Sequence, residues 1–257
     1  MYKIKSYAKV NIYLKIIGYE DGYHTLDSRF MKVKSLYDTI EFVPCKCDSF
    51  TIEGCDGVES KSNTIYKAYK ALNEYTGDLE FLDFFYNHKV VVHKNIPSQA
   101  GLGGGSSNAG AFLRLAKDVC NLLISTDELA TIGSKIGADV PFFVYDYDSA
   151  NVSGFGEVVE PFDEEALNLD IHTPPIGCDT ALVYKTFKAN LLDKIEPSTF
   201  ASWHTKTSQE LLSSYDAITL NDLYKASLIA YPKLKEYAKE GWFFSGSGSS
   251  FFKPHNV

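Results

Sequence analysis

Apolar and polar residues recur along this chain at two periods, and the switches between them predict its elements. From Ile4 to Ile17 they alternate imperfectly, which predicts a strand that ends at Gly18 and the Asp21-Gly22 turn signal. Met31 to Val43 predicts a second extended segment, with Leu36-Tyr37-Asp38 as a break within it. In Ser62 to Tyr75, Ile65, Ala68, Tyr69 and Leu72 fall on one helical face and Gly77 stands where a C-cap would. The β-branched run Val90-Val91-Val92 predicts a strand over Lys89 to His93.

Further on, Ala109, Phe112, Leu113, Ala116 and Val119 share one helical face. Ser125 and Glu128 have capping-box spacing, opening a helix with Leu129, Ile132 and Ile136 as its apolar stripe and Gly137 as its expected end. Pro141 biases Val140 away from helix. The polar, glycine-punctuated stretch Asp146 to Gly156 reads as a boundary, giving lobes 1–152 and 153–257. Beyond it the patterns predict a strand at Leu167–His172, a short helix at Thr180–Phe187 and a helix at Thr207–Ser213 with a Thr207/Glu210 capping box. Leu220–Tyr231 predicts another helix, and Pro232 opens one more that runs to Lys239. Trp242–Phe244 and Phe251-Phe252 predict strands around the loop Ser245-Gly246-Ser247-Gly248-Ser249. The fold class is α+β in two lobes.

Composition narrows the classes of function. With 257 residues, 45% apolar and 23% charged, the chain can bury a core and is not of disordered type. A net charge of −8 without a long basic run gives no reason to expect a nucleic-acid partner. Met1 to Lys15 interleaves Lys with apolar residues and has no signal-peptide core, and no apolar run reaches transmembrane length; a cytoplasmic setting without a membrane partner is the expectation. The five cysteines, an odd number, argue against a disulfide framework. Cys45, Cys47 and Cys55 are poorly spaced for zinc and read as ordinary thiols, so no metal ligand is assigned.

The richest chemistry lies in Pro97 to Ser107, where Gly101, Gly103, Gly104 and Gly105 run directly into a helical pattern. Glycines let backbone N–H groups converge on an anion without Cβ atoms in the way, and the following helix adds its unpaired first-turn N–H groups. Ser106 and Ser107 stand where a hydroxyl can cap the helix, bind a phosphate oxygen or help hold Mg²⁺. The loop is not a Walker A loop, since Ser106 rather than Lys follows Gly105, and Asn95-Ile96-Pro97-Ser98-Gln99 stands between the preceding strand and its glycines, unlike a dinucleotide fingerprint. A flexible hinge is the competing reading.

Here the chain resembles the GHMP kinases. Ala100-Gly101-Leu102-Gly103-Gly104-Gly105-Ser106-Ser107-Asn108-Ala109 is similar to their second motif. Ala8 to Leu14 with Asp21 to His24 is similar to an opening signature, Gly137 to Phe143 to a catalytic-aspartate segment, and Ser245 to Gly248 to a C-terminal glycine motif, all in the expected order. Asn108 departs from the Asp frequent at its position. The resemblance implies an N-terminal lobe like ribosomal protein S5 domain 2 and a ferredoxin-like C-terminal lobe. It implies ATP as phosphoryl donor with Mg²⁺, and as acceptor a small molecule, the 2-hydroxyl of a cytidine diphosphate methylerythritol on the non-mevalonate route to isoprenoid precursors. Homoserine or mevalonate phosphorylation is the rival activity, and a non-catalytic sensor or an interaction module the rival class.

Roles follow from the same resemblance. Asp139 is the expected general base, against a bland reading as a helix-flanking carboxylate. Lys9 is the second catalytic candidate, against the solvent face of an edge strand. Asn11 is expected at the acceptor's hydroxyls, Tyr23 and His24 at the cytosine, and Thr180 and Tyr184 on the opposite wall. For ATP, the triphosphate is expected on Gly101, Leu102, Gly103, Gly104, Gly105, Ser106 and Ser107 after Pro97, and the adenine near Asn63, Ile65 and Lys94. Gly246, Ser247 and Gly248 are expected at the substrate phosphates, with an ordinary turn as the alternative. Oligomeric state is left as monomer or weak homodimer.

Overall fold

The computed structural model describes residues 2–20, 22–55, 60–194, 200 and 202–255. Asp21 of the expected turn lies outside the described residues. The chain forms two compact units, both discontinuous in sequence. One comprises Met1–Ala8, Leu36–Ile96 and Gly104–Asp146, the other Lys9–Ser35, Pro97–Gly103 and Tyr147–Val257. Two long strands, β1 (Tyr2–Glu20) and β2 (Tyr23–Pro44), each contribute residues to both.

In the first unit, the end of β2 pairs antiparallel with β4 (His88–His93) in the register Thr39↔His93 to Pro44↔His88. The short β3 (Ile52–Glu53) adds in parallel to β4. Among the described residues, five helices belong to this unit: α1 (Thr64–Thr76), α2 (Leu79–Tyr86), α3 (Gly104–Val119), α4 (Thr126–Ser134) and α5 (Val140–Tyr145). Their apolar faces meet the sheet in one core that includes Ile40, Phe42, Ile65, Phe85, Val90 and Phe112. Phe42 sits edge-on to Phe85 at 5.1 Å and to Phe112 at 5.7 Å. Each such side chain, taken from water, contributes about 1.5–3 kcal/mol.

Local chemistry sets the helix ends. Asn63 caps α1 by accepting from the Ile65 N–H at 2.8 Å, and Gly77 closes it at φ 58°. The capping box of Ser125 and Glu128 on α4 forms as expected. Helix α2, which the periodicity did not predict, opens on Asp78, whose carboxylate accepts from the Glu80 N–H at 2.7 Å.

Several expectations are corrected here. Strand β2 does not break at Leu36-Tyr37-Asp38, because the Asp38 carboxyl is buried and accepts from the backbone N–H groups of Asn95 and Ile96. Helix α4 stops at Ser134, with Lys135 rather than Gly137 as its C-cap. Val140 is helical after all, since a proline in a first turn forfeits no intrahelical hydrogen bond. Cys45 and Cys47 are not ordinary thiols but a disulfide, their Cα atoms 5.8 Å apart, within the span such a bond requires. Cys55, Cys120 and Cys178 remain thiols, and burial pushes Cys120 and Cys178 up to about 11.

In the second unit, the earlier part of β2 pairs antiparallel with β5 (Ser149–Gly154), Leu26↔Gly154 to Met31↔Ser149, and β5 pairs with β6 (Val158–Pro161). The polar stretch expected as a boundary thus carries a strand. A second sheet, in the order β7-β9-β8, joins Leu169–His172, Phe251–Pro254 and Phe243–Phe244. Helices α6 (Thr180–Asn190), α7 (Ser208–Ser214), α8 (Ala217–Leu220) and α9 (Asp222–Ala230) complete the unit, α7 on its expected capping box. Pro232–Tyr237 is a 3-10 turn and not a longer helix. Tyr224 stacks on Phe244 at 4.5 Å in a core shared with Phe251 and Leu234. Fully buried Arg29 bonds Asn151 Oδ1 at 2.7 Å, Glu164 Oε1 at 3.2 Å and the His204 carbonyl at 3.0 Å, so its charge is paired and its fork used. No helix among the described residues is long and apolar enough to cross a membrane.

Candidate active site

In the second unit, β1 buries Lys9 and Asn11 among apolar neighbours. The Lys9 ammonium donates to Asn11 Oδ1 at 2.7 Å and lies 4.4 Å from the Phe30 ring centroid. Asn11 Nδ2 donates to Ser28 Oγ at 3.0 Å, and Ser28 passes a hydrogen bond to the Tyr13 carbonyl. The Lys9 N–H donates to the Leu102 carbonyl at 3.0 Å. Lys9 is therefore not on a solvent face.

The glycine segments come together in this unit. Gly101 has φ 74°, and a Cβ there would stand 2.2 Å from the Ser245 carbonyl oxygen, so only glycine fits. Ser245 Oγ donates to the Gly101 carbonyl at 2.9 Å, and a Cβ on Gly246 would meet Asn11 Oδ1 at 3.2 Å. Asn221 Nδ2 donates to the carbonyls of Phe244 and Gly246, each at 2.9 Å. Ser227 Oγ donates to the Ser247 carbonyl, and Ser247 Oγ shares a 2.9 Å bond with Thr180 Oγ1 at the start of α6. The Ser245–Gly248 turn is thus braced from several sides against Gly101 and Asn11.

Aromatic groups collect around β2. His24 lies 5.1 Å from Tyr184 of α6, 4.9 Å from Tyr19 and 5.7 Å from Phe187. Burial pushes the imidazole below its ordinary value, and the Lys188 charge adds to that, so the ring favours its neutral form. Its Nε2 is buried without a hydrogen-bond partner among the described residues. Tyr23 instead is 67% exposed, with Phe155 beside it at 5.6 Å.

In the first unit, Gly104, Gly105, Ser106 and Ser107 form the first turn of α3 rather than a loop before it. Their N–H groups are the ones a helix leaves unpaired. Ser107 Oγ donates to the Tyr7 carbonyl at 2.6 Å and bonds Ser6 Oγ at 2.7 Å, so this hydroxyl is used internally. Ser106 Oγ would be 3.8 Å from a Cβ on Gly137, which places the Gly137-Ala138-Asp139 segment beside that first turn. Asp139 precedes α5 with its carboxylate making no capping bond to the helix. Lys94 pairs with Asp38 and donates to Asn108 Oδ1 at 2.9 Å, Asn63 caps α1, and Ile65 lies in the core below.

A family model described as the GHMP kinases N terminal domain matches residues 63–147. A 4-diphosphocytidyl-2-C-methyl-D-erythritol kinase from Sulfurovum sp. (strain NBC37-1) is 59% identical over 254 residues, covering 98% of this chain and 99% of its own. The chain belongs to the 4-diphosphocytidyl-2-C-methyl-D-erythritol kinase family, within the GHMP kinases. The enzyme of the same name from Sulfurimonas denitrificans is 45% identical, covering 97% of this chain and 95% of its own. A crystal structure of 4-(cytidine 5'-diphospho)-2C-methyl-D-erythritol kinase aligns with a TM-score of 0.75 at 26% identity, over 99% of this chain and 90% of that one. The chain accordingly has the two-lobed GHMP kinase fold.

Of the residues read from sequence, the second unit gathers Lys9, Asn11, Gly101, Gly246 and, through Ser247, Thr180; it also gathers His24 with Tyr184. The first unit sets Gly104 to Ser107 near the Asp139 segment. Pro97, Leu102 and Gly103 belong to the second unit, Gly103 at φ 70°. Sequence reading missed Ser28, Asn221 and Ser227, which brace backbone and side chains of the candidate residues. Each is an ordinary polar residue in its own segment, and only the long-range partner marks it.

Proposed function

We propose that the chain transfers the γ-phosphoryl group of ATP to the 2-hydroxyl of 4-diphosphocytidyl-2-C-methyl-D-erythritol, giving the 2-phosphate and ADP in non-mevalonate isoprenoid precursor synthesis. The observation that carries this reading is the 59% identity to a kinase of that name along nearly the whole chain. The neutral His24 beside Tyr184 supports the cytidine end of it, since a ring nitrogen without a partner and an aromatic face suit a pyrimidine.

In this reading the segment Gly101 to Ser107 holds the triphosphate, with the positive end of α3 behind it. Asn63, Ile65 and Lys94 flank the adenine and Pro97 leads into the cradle. Gly246, Ser247 and Gly248 present backbone to the substrate phosphates. Asn11 bonds the acceptor's hydroxyls, while Tyr23, His24, Thr180 and Tyr184 hold the cytidine. Asp139 takes the proton of the 2-hydroxyl, and Lys9 offsets charge that builds on the transferred group. Mg²⁺, when bound, neutralises phosphate charge. Its ligands would be phosphate oxygens and water, with a hydroxyl of the cradle able to join them. Ser106 is the hydroxyl at hand for it, because that of Ser107 is already bonded. Residues 1–152 form the ATP-binding lobe and 153–257 the other, and the protein works as a monomer or weak homodimer.

The test is a panel of alcohols incubated with purified protein and Mg-ATP, with ADP release and product mass recorded. The cytidylyl substrate should turn over while homoserine and mevalonate do not. Turnover of either of those without the cytidylyl substrate defeats the reading.

A further inference from the structure

A carboxylate fully buried in a sheet costs several kcal/mol unless every lone pair is engaged. Asp38 of β2 meets that condition. Its Oδ1 accepts from the Asn95 N–H at 2.7 Å and the Ile96 N–H at 2.8 Å. Its Oδ2 accepts from the Lys94 ammonium and from Asn108 Nδ2, the latter at 2.9 Å. Asn108 turns its other atom on the same lysine, accepting from Lys94 Nζ at 2.9 Å. Two of the three ammonium donors are thereby committed, and the third has no acceptor among the described residues. The Lys94 side chain keeps 30% of its surface exposed, and a Cβ on Gly104 would stand 3.7 Å from its Nζ. The remaining donor therefore sits beside the first residue of α3.

The same network reaches the helix itself. Asn108 lies on α3 and donates to Ser6 Oγ at 2.8 Å, which bonds Ser107 Oγ at 2.7 Å, and Ser107 is anchored to the Tyr7 carbonyl. One set of buried groups fixes both the first turn of α3 and the lysine next to it. Ordering a lysine costs rotamer entropy, and here that cost falls on folding rather than on binding.

We infer that Asp38 and Asn108 are positioning residues that hold the Lys94 ammonium against the nucleotide. The inference rests on the reading of the α3 first turn as the ATP cradle. In Asp38→Asn the new amide keeps an oxygen for the backbone donors but presents N–H groups to Lys94, which releases the ammonium.

The experiment is a double-mutant cycle on ATP affinity, measured by calorimetry with Mg²⁺ present, for Asp38→Asn, Lys94→Ala and the pair. Lys94→Ala should weaken ATP about tenfold, the size of one charge-assisted hydrogen bond. Asp38→Asn should weaken it nearly as much, and the double variant no more than Lys94→Ala alone. Affinity for the acceptor should stay unchanged in all three. Losses that multiply in the double variant, or wild-type ATP affinity in either single one, overturn the inference. If Asp38→Asn does not fold, Asn108→Ala takes its place in the cycle with the same criteria. Turnover of the cytidylyl substrate by the wild type, assayed alongside, tests the proposed function separately, because the ATP cycle needs no acceptor.

Discussion

The imidazole of His24 and the ring of Tyr184 lie 5.1 Å apart with their planes tilted by 37°. The packing around them shields His24 enough to depress its proton affinity below the ordinary value of 6.5. The sign follows from linkage. As pH falls below 6.5 the unfolded chain takes up the proton before the folded one does, so stability present above that pH is lost on the way down to the folded value. His24→Phe removes this titration. The melting temperature of the wild type should therefore drop relative to that of His24→Phe as the pH is lowered through 6.5. Parallel curves for the two proteins would show that His24 is solvated in solution.

Tyr23 contrasts with its neighbour, being two-thirds exposed with one aromatic contact, to Phe155. Its loss should hardly disturb the fold, within about 0.5 kcal/mol for a surface site. Tyr23→Ala should nonetheless weaken the cytidylyl substrate by about 1–3 kcal/mol, the value of a base stacked on an aromatic ring. ATP affinity should not change. Calorimetry with both ligands decides the matter, and equal losses would make Tyr23 a structural residue.

The glycines of the proposed cradle separate into two kinds. A Cβ on Gly105 meets Thr64 Oγ1 at 3.6 Å, an ordinary contact, whereas one on Gly101 collides with the Ser245 carbonyl at 2.2 Å. Gly105→Ala should thus fold normally and gain up to about 1 kcal/mol of helix propensity. It should still lose ATP affinity by about tenfold or more, because the methyl group occupies space where backbone must approach phosphate. Gly101→Ala should lower the melting temperature first. A Gly105→Ala protein that binds ATP as the wild type does would remove Gly105 from the cradle.

These contrasts bear on what the sequence can disclose. The caps of α1, α4 and α7 are legible because donor and acceptor lie within a few residues of each other. Helix α2 is not, since its run Leu79–Tyr86 is short and mostly apolar, and only Phe81 and Phe85 mark its buried face. Asp38 looks like a strand breaker in isolation, and only its bonds to Asn95 and Ile96 explain an unbroken β2. The site shows the same division. Motif order singles out Gly101 to Ser107 and Asp139 as candidates, but which of Ser106 and Ser107 keeps a usable hydroxyl depends on Tyr7 and Ser6, far away in the chain.

Asp139 carries the last prediction. It stands before α5 with no capping bond to that helix, in a segment set against the α3 first turn through Gly137 and Ser106. The fold therefore gains no helix cap from its carboxylate. Asp139→Asn keeps size and most hydrogen-bonding capacity while removing the charge and the proton acceptor. If Asp139 takes the hydroxyl proton in the transition state, ATP and the cytidylyl substrate should both still bind while single-turnover phosphoryl transfer slows by about 10²–10⁴-fold. A role confined to orienting the hydroxyl should cost less, because a loose transition state demands little deprotonation before the new bond forms. The measurement pairs rapid-quench transfer at saturating substrate with calorimetric affinities and a thermal melt. A folded Asp139→Asn protein that transfers phosphoryl at the wild-type rate would defeat the assignment and leave catalysis to Lys9 and the cradle. Intact binding with severe loss of rate is the outcome expected, since no other carboxylate occurs in the Gly137 to Phe143 segment.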